Sequence, residues 1–144
     1  MGTQAMVDLR PTSETTRELR AVGLRPTRQR LALARLLFGH GNRHVTAESL
    51  YDRTQETGIK VSLATVYNTL HQFTSAGLLR QVVVDSTRSY FDTNIEDHHH
   101  FYFEDSGEIA DIPNDRINSI APTDLPADTE ISRVDIVVRL RGAR

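Results

Sequence analysis

Ser62–Gly77 reads SLATVYNTLHQFTSAG, and it is followed by LLRQVVV at 78–84 and SYFDT at 89–93. Leu63, Val66, Leu70 and Phe73 recur at spacings of three, four and three, the period of a helix with one apolar face. Ser62 stands where an N-cap is expected and Gly77 where the helix should stop. Projection at about 100° per residue groups Thr65, Asn68, Thr69 and Gln72 on the opposite side. These are short, uncharged hydrogen-bonding groups, unlike the Glu/Lys mixture of a solvated face, and they suit base edges. The two runs that follow are strand-like and separated by Asp85–Arg88, so they read as a hairpin.

Upstream, three further helices are predicted. One covers Ser13–Val22 and ends at Gly23, with Leu19 and Val22 as its few apolar anchors. The next starts at Thr27, after Pro26, and runs to Gly39 with Leu31, Ala34, Leu37 and Phe38 at helical spacing, which leaves Arg28, Arg30 and Arg35 largely off the core face. The third begins at Thr46 and reaches Gly58, with Ala47, Leu50 and Tyr51 as its stripe. Three helices and a two-stranded wing make the winged helix-turn-helix pattern, whose last helix enters the major groove. A small α/β core carrying a polar helix is the competing reading.

Charge supports the first. Residues 1–90 carry 12 Lys+Arg against 7 Asp+Glu, whereas residues 91–144 carry 5 against 12. Eight arginines and only two acids, Glu14 and Glu18, lie between Arg10 and Arg43, which makes this third of the chain the place for phosphate contacts. Lys60 is the only lysine among 17 basic residues; arginine suits bidentate contacts, although codon usage gives the same bias. The chain has 144 residues and no cysteine, so disulfides, thiolate zinc sites, iron-sulfur clusters and a cysteine nucleophile are excluded. No apolar run approaches the roughly 20 residues of a membrane helix, and MGTQAMVDLR lacks the apolar core of a secretory signal. A cytoplasmic protein without a membrane partner is expected, its first 12 residues disordered.

From Asn94 onward the composition turns acidic, which divides the chain into domains at 1–93 and 94–144. HHHFYFE, a turn at Asp105–Gly107 and EIADI predict a second hairpin, followed by a short helical or irregular stretch, NDRINSI, at 114–120. APTDLPAD reads as a loop, and Ile131, Val134, Ile136, Val138 and Leu140 mark a last half-buried strand, alternating from 134. A three-stranded sheet of this size has trouble hiding its edge and one face, and dimerisation would solve both problems. The predicted class is therefore α+β, a winged helix-turn-helix domain followed by a small α/β dimerisation domain.

His98, His99 and His100 are consecutive. In a strand His98 and His100 share one face and His99 takes the other, so His-x-His offers a pair of ligands. Asp92, Glu96, Asp97, Glu104, Glu108 and Asp111 supply nearby oxygens, and such a set suits Mn, Fe(II) or Zn. Surface histidines at a strand start are the bland alternative. His40, His44 and His71 stand alone. No Ser-His-Asp set, glycine-rich phosphate loop or HExxH helix is present; a small metalloenzyme or a metal or haem carrier built on His98 and His100 is the alternative function.

RPTRQR, GNRHVTAESLY, VSLATVYNTLHQFTSAGL, YFDTN and DHHHFYFED, in that order and spacing, resemble the ferric uptake regulator family over about Leu19–Leu140. Within it the chain looks most like the iron response regulators of alphaproteobacteria. The resemblance implies a homodimeric DNA-binding repressor of iron and haem metabolism genes, governed by a divalent metal or haem. It places an interdomain metal site on His44, Asp92, His98 and His100, with Glu108 or Asp111 as substitutes for Asp92. It places the recognition helix at Ser62–Ala76, with Ser62, Thr65, Tyr67 and Asn68 at AT-rich operator DNA, and Arg25, Arg28 and Arg30 at phosphates or a narrow minor groove.

The departures from the family pattern carry further expectations. Phe103 and Ser106 stand where many relatives have a structural CxxC zinc motif. A second carboxy-terminal site retains at most Asp97 and His99, which points away from peroxide sensing and zinc uptake. If haem binds, its axial ligand comes from His98, His99 or His100. The acidic half is a candidate docking surface for a haem-delivering or haem-synthesis enzyme.

Overall fold

The computed structural model describes residues 9–39, 41, 43–113 and 122–143. The chain separates into two compact units, Met1–Ile95 and Glu96–Arg144. The NDRINSI stretch lies outside the described residues.

The first unit contains four helices, α1 (Thr12–Ala21), α2 (Arg28–Leu37), α3 (Ala47–Glu56) and α4 (Leu63–Ser75). Each of the last three begins where a side chain can satisfy an orphan amide. Thr27 accepts from the Arg30 amide, Ser62 from the Thr65 amide, and Thr46 forms a reciprocal capping box with Ser49. After α4, Gly77 takes φ +84°, a conformation open to glycine at little cost.

Leu33, Leu36, Leu37, Leu50, Val66, Leu70 and Phe73 are fully buried in one core with Leu19, Val45 and Phe91. Two expectations need correction. Leu33 and Leu36, absent from the predicted α2 stripe, are core residues, while Leu31 is only half-buried. Thr69, projected onto the polar face of α4, is 4% exposed; it is one turn from Val66 and from Phe73, and its methyl lets it sit at the margin of the core. Residues 9–12, part of the stretch expected to be disordered, are held in place, since Arg10 pairs with Glu14 and Glu18 and its carbonyl accepts from Arg35 Nε.

The wing is larger than predicted. β2 (Arg80–Val83) and β3 (Ser89–Asp92) form the expected hairpin, but a two-residue strand, β1 (His44–Val45), pairs on the far side of β3 to give the order β1-β3-β2. His44 therefore lies in a strand immediately before α3. Asp92, on the central strand, stands opposite His44 on one side and Arg80 on the other.

The second unit is a three-stranded sheet, β5-β4-β6, of β4 (His99–Phe103), β5 (Ile109–Ile112) and β6 (Val137–Leu140). β5 pairs antiparallel with β4, whereas β6 is parallel to it. β6 is shorter than the predicted run: Ile131 and Val134 lie outside it, and Ile131 is exposed. The Gly107 amide closes the hairpin turn on the Phe103 carbonyl, and the Glu104 amide donates to Leu140. Among the described apolar residues of this unit only Tyr102 and Ile112 are buried.

Candidate functional site

Each sheet carries a cross-strand His–Asp pair. In the first unit the β1–β3 register sets His44 opposite Asp92, and His44 Nε2 lies 3.0 Å from Asp92 Oδ2. The other carboxylate oxygen accepts from the Asn94 amide at 2.9 Å, which turns Oδ2 toward the imidazole. Asp92 is 0% exposed, and a buried carboxylate is tolerable only when its oxygens are engaged.

In the second unit the β4–β5 register sets His100 opposite Asp111. His98 Nε2 is 3.0 Å and His100 Nε2 3.4 Å from the same oxygen, Asp111 Oδ1, and the two rings lie 4.4 Å apart. Both histidines are buried, at 6% and 3% exposed. The alternation predicted for the run is observed, because His99 turns elsewhere and its Nδ1 accepts from the Ile136 amide at 3.1 Å. Glu108, the other substitute considered for Asp92, is exposed and takes no part in the cluster.

The donor set fits a divalent metal. His98 Nδ1 is 2.5 Å from the Glu96 carbonyl, and a carbonyl can only accept, so Nδ1 carries the proton. Nε2 then faces the Asp111 carboxylate with its lone pair, an arrangement in which the two can share a bound cation. A backbone carbonyl that fixes the tautomer in this way is the usual outer support of a metal-binding imidazole. Two imidazoles and a carboxylate suit Mn, Fe(II) and Zn alike.

The polar side of α4 is the second functional surface. Tyr67 and Asn68 are exposed, and Thr65 is half-buried. Ser62 is engaged in capping, and its hydroxyl donates to Thr65 Oγ1 at 3.0 Å. Tyr67 donates its hydroxyl to Glu48 of α3 at 2.5 Å; this hydrogen bond, with some burial and the carboxylate charge, raises the phenol pKa above its ordinary value of 10.0. Thr27, Gln29 and Arg30 of the α2 start line a shallow groove with Thr65, Asn68 and Gln72, so two of the sequence-predicted groups are neighbours. Arg25 and Arg28 are exposed beside it. Arg30 is half-buried, its guanidinium bonded to Gln72 and to the Arg25 carbonyl. Gln72 was grouped with the polar face on sequence but not named as a site residue; only the fold reveals its tie to α2.

A winged-helix unit with an exposed polar helix face, together with imidazole–carboxylate clusters of metal-ligand type, is the architecture of a metal-responsive DNA-binding regulator. Comparison with known proteins specifies the class further. Residues 21–139 match the model of the ferric uptake regulator family, and the chain belongs to that family of metal-responsive transcription regulators. It is 33% identical over 107 residues, 74% of this chain and 72% of the relative, to the peroxide-responsive repressor PerR of Staphylococcus aureus strain Mu50. Among solved structures, the ferric uptake regulator of Pseudomonas aeruginosa with manganese is 26% identical with a TM-score of 0.68, covering 90% of this chain and 98% of that one. The Vibrio cholerae ferric uptake regulator shares the fold at 22% identity and a TM-score of 0.69, over 88% and 98% of the two chains.

Proposed function

We propose that the protein is a cytoplasmic, homodimeric, iron-responsive repressor of iron and haem metabolism genes. In this reading α4 binds AT-rich operator DNA and a divalent metal takes His44 and Asp92 from one unit and His98 and His100 from the other, with Asp111 beside them. The observation that carries the reading is the cross-strand His–Asp pair present in each sheet. A metal shared by both units would fix the angle between them, and in a dimer that angle sets the spacing of two recognition helices against half-sites one helical turn apart. Among the described residues the second unit has a sparse core, which supports dimerisation, because so small a sheet buries too little apolar surface alone.

Divalent metal is preferred to haem as the effector. His98 and His100 are buried and already directed at one carboxylate oxygen, a compact nitrogen–oxygen donor set of the kind that divalent metals take. The relative solved with manganese supports the same choice. No observation favours the carrier reading over DNA binding.

The test is retention of an AT-rich iron-gene promoter fragment, against a shuffled fragment of equal length, by metal-free and Mn-loaded full chain. Retention of the promoter by the Mn-loaded protein, weakened when the metal is removed, is expected. Mn binding with no fragment retarded would establish the carrier instead.

A further inference from the structure

The Arg30–Gln72 contact has consequences for how α4 reads a sequence. Gln72 is exposed on α4, one turn beyond Asn68 and two beyond Thr65. Its Oε1 accepts from Arg30 Nε at 3.1 Å, while Arg30 Nη1 donates to the Arg25 carbonyl at 3.0 Å. That carbonyl also accepts from the Thr27 amide at 2.8 Å. It precedes Pro26, whose ring restricts the residue before it. The anchor is therefore stiff at its far end.

A free glutamine can turn its carboxamide over and present either the oxygen or the NH2. Guanidinium has five donors and no acceptor, so only the oxygen can face Arg30. The outward atom is then Nε2, a donor. The Arg30 contact takes one of the two lone pairs of Oε1 and fixes which way the carboxamide faces, so the nitrogen is the end aimed outward.

We propose that Arg30 is a positioning residue for sequence reading, holding Gln72 with its amide nitrogen outward so that it selects a base edge presenting an acceptor, purine N7 or O6 or thymine O4. This rests on α4 being the helix that enters the major groove. It also gives Arg30 a role other than the phosphate contact expected from sequence. Ordering the long side chain before DNA arrives lowers the entropy lost on binding.

The test uses Mn-loaded full chain and a randomised duplex library, followed by single base-pair substitutions in the selected site, for wild type, Asn68→Ala, Gln72→Ala, Gln72→Glu and Arg30→Met. Relative affinities among substituted sites are compared, so that a uniform loss from a missing positive charge cancels. Gln72→Ala is expected to erase discrimination at one base pair by roughly 2- to 12-fold, the worth of one neutral hydrogen bond, and leave the others intact. Gln72→Glu, which has only acceptors to offer, is expected to shift that position toward edges bearing an amino group. Arg30→Met keeps the apolar stem and is expected to relax the same base pair. The proposal is overturned if Gln72→Ala weakens all sites equally, the signature of a phosphate contact, or if Arg30→Met retains wild-type preference there. If Asn68→Ala alters preference and Gln72→Ala does not, α4 still reads DNA and only this proposal falls. If wild type selects no sequence, the reading of α4 falls as well.

Discussion

Two neighbouring positions of α4, on opposite faces of the helix, should separate stability from recognition. Leu70 is 0% exposed in the core shared with Val66 and Phe73, whereas Asn68, two positions earlier, is exposed. Leu70→Ala removes three buried carbons and leaves a cavity that the fixed neighbours fill only in part, a loss of about 3 kcal/mol within the usual range of 2–5. For a unit of this size that corresponds to a fall in Tm of about 12–24 °C. The unit remains folded at low temperature, because domains have about 5–15 kcal/mol in reserve. Asn68→Ala lies away from the core and should stay within about 0.5 kcal/mol of wild type, yet it should change which base is preferred in an operator titration. Urea unfolding followed by far-ultraviolet circular dichroism supplies the first quantity and a panel of substituted operators the second. The reasoning is refuted if Leu70→Ala costs less than about 1 kcal/mol, or if Asn68→Ala destabilises comparably and leaves base preference unchanged.

Three other perturbations give distinct readouts. Gly77 has φ +84° and open space where a Cβ would lie, so Gly77→Ala should cost only the left-handed backbone penalty, about 1–2 kcal/mol, read as a lower urea midpoint. Arg28 is exposed at the start of α2; Arg28→Ala should weaken binding to every sequence alike and reduce the slope of log K against log salt by about 0.9. The Tyr67 phenol holds its proton more tightly folded than unfolded. Its contribution is therefore complete below the ordinary pKa of 10.0 and is lost as pH rises through the raised value. A phenolate absorbance titration should show Glu48→Gln returning that tyrosine toward its ordinary pKa, with Tyr67→Phe identifying the signal.

Local chemistry was the legible part of this sequence. The caps at Thr27, Thr46 and Ser62 and the stop at Gly77 depend on neighbours within four residues, and a sequence displays those directly. The α2 stripe is broader than predicted: Ala34 and Leu37 are in the core and Leu31 and Phe38 pack against it, but Leu33 and Leu36 join them because the partners across the core cover more than one helical face. β1 is too short to show any period; it exists because β3 offers an edge to His44 and Val45. Asp111 was visible as one acid among several. Only the hairpin register, with its turn at 105–107, sets it opposite His100 and separates it from Glu108. The parallel direction of β6 depends on the path of the long connection after β5, which local sequence pattern does not encode.

The central claim, that metal at the His–Asp pairs controls operator binding, is tested most directly by one titration. Operator affinity is measured with and without Mn for wild type and for the His98→Ala/His100→Ala double variant, each first verified as folded by circular dichroism. Linkage requires that the factor by which Mn tightens operator binding equal the factor by which operator tightens Mn binding. The account predicts a factor of at least tenfold in wild type, corresponding to about 1.4 kcal/mol of coupling, and a factor near one in the variant. A variant that responds to Mn as strongly as wild type would contradict it.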